Sequence, residues 1–375
     1  MSQQHTPRAL GYRMPAEWSK HAATWIAWPH NTADWPGKFQ PVPWVYAEIV
    51  RNLSRVEDVH ILVNDAVAEK RTTSILHRAG ANLARVHFHL WPSNRVWLRD
   101  SGPIFVRDAN GDIAVTNWKF NGWGKQEDPQ RYEHDDQIPA RVAHLYAMPQ
   151  FQPAITLANG AAATDDIAHA SGSHRIVLEG GSIDTNGAGV LLTTEECLLS
   201  EVQQRNPGVS RKQLEQVFHD YLGIDQVIWL NRGCIGDDTH GHVDDITRFV
   251  AENTIVTCVE HNTHDENHLP LAENLARLRS ARNLTGPHPG KPFDIIELPM
   301  PAPVVFEGQR LPASYGNFYI ANEVVLVPTF IDANDRRALN ILAGCFPTRE
   351  VIGIHCGDLI WGLGALHCMT QQEPA

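Results

Sequence analysis

Gly362-Leu363-Gly364-Ala365-Leu366-His367-Cys368-Met369-Thr370-Gln371-Gln372 sets a cysteine behind a glycine-bearing apolar turn. Glycines let the backbone bend tightly there. A thiol is a strong nucleophile once ionised, and a cationic substrate held beside it would itself stabilise the thiolate. An arbitrary cysteine is more often a buried, inert side chain. Ile354-His355-Cys356-Gly357 repeats the His-Cys pair a little upstream, so chemistry alone leaves Cys356 and Cys368 both open.

Further upstream, Thr239-His240-Gly241-His242-Val243-Asp244-Asp245 follows the acidic pair Asp237-Asp238. Read as extended chain, the segment puts His240, His242 and Asp244 on one face, with Val243 and Asp245 on the other. An imidazole beside a carboxylate is equipment for moving protons near neutral pH; a surface turn rich in acid and histidine is the plainer reading. Trp97-Leu98-Arg99-Asp100-Ser101-Gly102-Pro103 offers Asp100, whose carboxylate matches the donor fork of a planar guanidinium, although Arg99-Asp100 is also an ordinary ion-pair sequence. Leu178-Glu179-Gly180-Gly181-Ser182 ends an apolar run with a carboxylate and two glycines. Those glycines permit the close backbone approach that would set Glu179 beside a histidine and favour its protonated form.

Metal hydrolysis is a competing chemistry. His240-Gly241-His242 is an H-x-H pair of zinc-ligating type, and His261, His264 and His268 add imidazoles in a polar, acidic stretch. No G-x-S-x-G elbow, G-x-x-x-x-G-K-[ST] loop or G-x-G-x-x-G fingerprint occurs, which leaves serine hydrolases and nucleotide enzymes without support.

Composition narrows the partners. The 375 residues carry 43 acidic against 31 basic side chains, a net charge of -12, which argues against nucleic acid and suits a small cationic substrate. The six cysteines form no C-x-x-C pair and are read as reduced thiols. Met1 to Arg8 lack a secretory pattern and no apolar run reaches the ~20 residues of a membrane span, so a cytoplasmic protein without membrane partner is expected.

Along the chain, periodicity predicts helices over 44–56, 66–79, 136–148, 210–221, 270–283 and 333–346, separated by short apolar strands. The strands include Val59-His60-Ile61-Leu62-Val63, Val190-Leu191-Leu192-Thr193, Val227-Ile228-Trp229-Leu230, Ile255-Val256-Thr257-Cys258-Val259 and Val324-Val325-Leu326-Val327. From the second helix onward the starts recur roughly every 60 to 75 residues, a spacing that suggests a repeated unit arranged about an axis. The stretches 120–135 and 284–292 are read as surface loops bordering a site.

Met14-Pro15-Ala16-Glu17-Trp18, Trp25-Ile26-Ala27-Trp28-Pro29, the Trp97 and Leu178 segments, Thr193-Thr194-Glu195-Glu196-Cys197-Leu198-Leu199, Gly241-His242-Val243-Asp244, Ala313-Ser314-Tyr315-Gly316-Asn317-Phe318-Tyr319-Ile320 and the His367-Gln372 tail occur in order. Together they resemble the agmatine deiminase family, the bacterial and plant branch related to the bacterial peptidylarginine deiminases. The resemblance runs nearly end to end. It implies the pentein fold: an α/β, pseudo-fivefold propeller of ββαβ-type units around a central active-site channel, as a single domain over 1–375. By position in these motifs it implies Cys368, chosen over Cys356 by the tail, as nucleophile. His242 would carry protons with Glu179 as its partner, Asp100 and Asp244 would clamp the guanidinium, and Trp97 and Asp238 would hold the far end of the substrate. Neither metal nor organic cofactor is implied, and association with further copies of the chain stays open.

The family usually shows three glycines and Asn-Ile before the His-Cys pair, where this chain has Gly362-Leu363-Gly364-Ala365-Leu366. The familiar Asp-Thr-Asn-Gly-His-Val-Asp-Asn is here Asp238-Thr239-His240-Gly241-His242-Val243-Asp244-Asp245. The core catalytic residue types remain, so hydrolysis of agmatine to N-carbamoylputrescine and ammonia is the expected reaction. The changes at Leu363, Ala365, Leu366, His240 and Asp245 bear on the substrate. The alternatives are a deiminase of free or peptidyl arginine, a metal-dependent amidohydrolase, and a non-catalytic binder of cationic amines.

Overall fold

The computed structural model describes residues 6–125, 132–156, 173–287 and 289–375. The loop expected at 120–135 is therefore described except for 126–131, which lie outside these residues, as does position 288 of the second loop.

Among the described residues, one four-stranded and four three-stranded sheets repeat one pattern. Two antiparallel strands are followed by a helix and then by a third strand parallel to the second. The first repeat is Ile104–Arg107, Ile113–Thr116, helix Ile138–Leu145 and Gln150–Phe151. The next is Asp184–Thr185, Val190–Thr194, helix Arg211–Leu222 and Gln226–Leu230. Then come Thr247–Ala251, Thr254–Val259, helix His268–Ser280 and Asp294–Pro299, and Tyr319–Ile320, Val324–Thr329, helix Asp335–Cys345 and Glu350–His355.

The last repeat is shared by the two ends of the chain. Gln371–Pro374 pairs antiparallel with His21–Ala27, in register Trp25 to Gln371, and His21–Ala27 continues through helix Val42–Leu53 to the parallel strand Asp58–Leu62. A further helix, Ala66–Ala79, and strand, Val86–His89, extend that sheet. The chain thus closes a ring of five ββαβ units, the propeller expected.

The middle strand of each unit is covered on both faces, which is why Val190–Thr194 and Thr254–Val259 read as continuous apolar runs rather than alternating ones. Helix limits follow local chemistry. The Asp65 carboxylate accepts from the Val67 and Ala68 N–H groups at the start of Ala66–Ala79, and Gly80, at φ +78°, ends it. Ser210 and Gln213 form a capping box before Arg211–Leu222. The helix expected at 136–148 stops at Leu145 because Ala147 turns to φ +51°, and that expected at 44–56 starts earlier, at Val42, because Pro43 suits a first turn. No helix among the described residues is long and apolar enough to cross a membrane.

Candidate active site

Each unit places its chemistry in the turn just before its first strand. These turns hold Trp97 to Ser101, Glu179 to Ser182, His242 to Asp245, Ser314 to Asn317, and His367 to Thr370. They meet at the axis. Arg99 N–H donates to the Cys368 carbonyl at 3.1 Å, and Gly181 N–H donates to Asp100 Oδ1 at 3.1 Å. The Ser314 hydroxyl donates to the Asp245 carbonyl at 2.5 Å, and His367 N–H donates to Asn317 Oδ1 at 2.9 Å. These four bonds join the five turns in a chain, and the approach of His242 Nε2 to Glu179 at 3.7 Å closes it into a circle.

The circle brings Cys368, His242, Glu179, Asp100 and Asp244 together. His242 lies with Nδ1 3.7 Å from Asp100 and 4.0 Å from Asp244, and with Nε2 3.7 Å from Glu179. These are separations for charge attraction rather than for hydrogen bonds, and neither ring nitrogen has a hydrogen-bond partner among the described residues. Gly181 makes the approach possible: a Cβ there would lie 2.5 Å from His242 Nδ1 and 2.8 Å from Asp100 Oδ1.

The histidine segment is not extended, and His240 and His242 do not share a face. The Asp237 carboxylate accepts from the N–H groups of Thr239, Gly241 and His242, at 2.7 to 2.9 Å. That binding coils the chain through left-handed conformations at His240 (φ +64°) and Gly241 (φ +96°) into a 3-10 turn over Val243–Asp245. His240 is turned toward Ser200, 3.2 Å away, while His242 is buried. Its H-x-H pairing as metal ligands is lost with it, and His261 and His264 stand exposed.

Charge sets the protonation of the site. Burial alone would raise the Glu179 carboxyl, but Arg205, at 3.1 and 3.3 Å from its two oxygens, and His242 overturn that and hold it at about 2. Burial disfavours charge on His242, yet Asp100, Cys197 and Glu179 outweigh it and raise the imidazole well above its ordinary value. Asp100 is raised to about 6, by burial first and then by Asp244 and Glu179, against the pull of His242. Burial, followed by Asp244, Asp245 and Asp100, pushes the Cys368 thiol well up. The surroundings therefore favour thiol over thiolate at Cys368 and imidazolium over neutral ring at His242.

A cavity of about 580 Å³ opens from this centre to solvent, lined by Cys368, Asp100, Trp97, Trp123, Asp238 and Leu363, among others. Trp123 donates its indole N–H to Asp100 Oδ2 at 2.9 Å, fixing that carboxylate. Asp238 reaches the cavity wall already ion-paired with Lys125, and at the same mouth Arg95 is paired with Asp34. Leu363 stands at φ +69°, so a side chain faces the cavity where glycine fits the backbone best.

Arg99 does not pair with Asp100. It turns away, to Gln372 at 2.7 Å and to Glu17 at 3.3 Å. Glu17 also meets Arg248 at 2.8 Å and His367 Nε2 at 2.7 Å, while His367 Nδ1 lies 2.6 Å from Asp244. With a carboxylate at each ring nitrogen, His367 ties Asp244 to a buried charge network beneath the thiol. Glu17, Asn317 and His367 all lie in the stretches quoted above, but nothing in the residue pattern assigned them chemistry.

Among the described residues, two groups have donor atoms within 4.8 Å of one another, as a metal ion would need: Glu179, Cys197 and His242, and Asp244, Asp245 and Cys368. In the first, Glu179 is already neutralised by Arg205. The second contains the candidate nucleophile.

The model of the Porphyromonas-type peptidyl-arginine deiminase family matches residues 13–374. The agmatine deiminase of Pseudomonas aeruginosa (strain UCBPP-PA14) is 32% identical over 99% of this chain and 97% of its own. That of Stutzerimonas stutzeri (strain A1501) is 32% identical over the same shares. Among solved structures, an agmatine deiminase of Enterococcus faecalis superposes with a TM-score of 0.84 at 28% identity, covering 98% of this chain and 97% of that one. An agmatine deiminase of C. jejuni with substrate bound gives 0.80 at 28% identity, covering 97% and 96%. The ring and its acidic centre define a hydrolase of pentein fold and deiminase class. Within that class, the chain belongs to the Porphyromonas-type peptidyl-arginine deiminase family.

Proposed function

We propose that this chain hydrolyses agmatine to N-carbamoylputrescine and ammonia through a covalent adduct on Cys368, a reaction of polyamine synthesis. The observation that carries this reading is the floor of the cavity. There Asp100 and Cys368 line the cavity, and behind them lies a fully buried Asp244, its Oδ2 3.8 Å from the Cys368 sulfur and its Oδ1 without a hydrogen-bond partner among the described residues. A buried, unpaired carboxylate oxygen is costly unless a cation completes it, and a guanidinium supplies both charge and paired donors.

The chemistry follows from the charges. The arriving guanidinium offsets the carboxylates that hold the Cys368 proton on, the thiol gives its proton to solvent water in the cavity, and the sulfur attacks the guanidinium carbon held beside it. As the C–N bond breaks, the His242 imidazolium gives its proton to the departing nitrogen and ammonia leaves. The neutral imidazole then takes a proton from water as its oxygen adds to the same carbon; the C–S bond breaks, the leaving thiolate takes up the proton of the added hydroxyl, and the ureido product departs. Glu179 keeps His242 charged between turnovers. Trp97 and Asp238 line the path of the alkyl chain and its distal amine.

A second reading, deimination of free or peptidyl arginine, draws support from the cations Arg95 and Lys125 near the cavity mouth, which suit a distal carboxylate. Ammonia release measured over agmatine, arginine, arginyl peptides and methylated guanidines separates the two. Agmatine is expected to lead by at least about tenfold in kcat/KM; arginine in the lead transfers the assignment to the second reading. Cys368→Ser is expected to abolish ureido product with the fold intact, and chelators to leave the rate unchanged.

A further inference from the structure

Asn317 is fully buried, one turn from the nucleophile, and every hydrogen-bonding atom of its amide is in use. Its Oδ1 accepts from His367 N–H at 2.9 Å and, more weakly, from Cys368 N–H at 3.4 Å. Its Nδ2 donates to Asp245 Oδ1 at 2.9 Å and to Cys368 Sγ at 3.0 Å. The orientation is forced. Rotating the amide by half a turn would set its N–H groups against two backbone donors and its oxygen against the Asp245 carboxyl. A donor therefore faces the sulfur.

We propose that Asn317 is a catalytic residue that donates a hydrogen bond to the Cys368 sulfur, with Asp245 as the positioning residue that holds the amide in place. This rests on Cys368 being the nucleophile. An N–H aimed at sulfur favours thiolate over thiol, because the bond strengthens as negative charge develops. The other groups facing this sulfur are burial-raised or acidic: Asp100 from the turn after Trp97, Asp244 and Asp245 from the 3-10 turn, with Tyr46 behind. All of them oppose ionisation, with Asp244 Oδ2 3.8 Å from the sulfur. Asn317 works in the other direction through a side chain, alongside a backbone hydrogen bond at Ala365. It acts twice in each cycle: once when the thiolate forms to attack, and again when sulfur leaves the adduct as thiolate. Asp245 supplies an acceptor for the second amide hydrogen, without which the amide would be free to turn.

The measurement is the pH dependence of Cys368 alkylation by iodoacetamide in the free enzyme, together with kcat and KM. For Asn317→Ala, the alkylation midpoint is expected to move up by about one pH unit, with kcat lower by roughly 10- to 100-fold and KM within about twofold, the scale of one hydrogen bond to a charged group. Asn317→Ser serves the same test where the alanine variant does not fold. Asp245→Asn and Asp245→Leu both remove a carboxylate that opposes ionisation, but only the first keeps an acceptor oxygen for the amide, so the alkylation midpoint of Asp245→Leu is expected about one pH unit above that of Asp245→Asn, with the lower kcat of the two. A folded Asn317 variant with the parent alkylation profile and kcat overturns the proposal. Cys368→Ser retaining turnover would instead remove the nucleophile reading on which it stands, and the two failures are told apart by that control.

Discussion

At the scale of the residue, Asp100 is where opposing pulls meet. Burial and the neighbouring Asp244 and Glu179 push its carboxyl to about 6, while His242 and the Trp123 indole pull it back. In its proposed role as a guanidinium clamp Asp100 acts in the ionised form, so kcat/KM is expected to fall as the pH drops below about 6. The acid limb of kcat should lie lower, because bound cation favours the carboxylate. For Asp100→Asn, that limb should vanish and kcat/KM should fall by roughly 100-fold or more. Rates measured from roughly pH 4.5 to 8 decide it, and an unchanged limb in the variant reassigns it to another group.

The residues that sequence made legible here are those whose side chains have few uses away from a site. Asp100, Glu179 and Asp244 are acids in apolar, glycine-flanked settings, and Cys368 follows a tight turn. Asn317, Glu17 and His367 stayed hidden for a physical reason. An asparagine in an aromatic stretch, or a glutamate near the start of the chain, acquires chemistry through partners far away in sequence: Glu17 touches Arg248 and His367, and Asn317 touches Cys368.

At the scale of the element, the five turns before the first strands do the positioning, and they depend on backbone as much as on side chains. Gly181 is the clearest case, since any Cβ there would enter the space between His242 and Asp100. For Gly181→Ala, the imidazole should be displaced by several tenths of an ångström or more, with a loss in kcat on the order of 100-fold and a smaller effect on thermal stability. Activity within about threefold of the parent would show that the ring can shift at no cost. The two glycines after Glu179 could be read from sequence as a place of close approach, and so they are. The coil at 238–245 could not, because it is imposed by Asp237 binding three backbone N–H groups, a set of bonds that alternation of residue types does not encode.

At the scale of the whole molecule, helices and strands were legible because each carries its own period, and the ring was legible through the ordered stretches rather than through any repeat of residues. What periodicity could not show is that strand Gln371–Pro374 belongs with His21–Ala27 and closes the circle. That strand carries Gln372, which accepts from Arg99, and Glu373, which accepts from the Trp25 indole at 2.7 Å. Deleting residues 371–375 should therefore lower the thermal midpoint by about 10 °C or more and abolish turnover together. A truncated chain that melts like the parent would mean that the ring holds without its last strand.

The same closure orders events during synthesis. Asp100, Glu179, His242, Asp244 and Asn317 all leave the ribosome before Cys368, and the closing strand follows that cysteine within three residues. A nascent chain paused upstream carries the other five cysteines and the acids of the site, but not the candidate nucleophile. When Cys368 does emerge, the strand that closes the ring emerges almost at once, so the last candidate site residue and the closure of the ring arrive in a single step of translation.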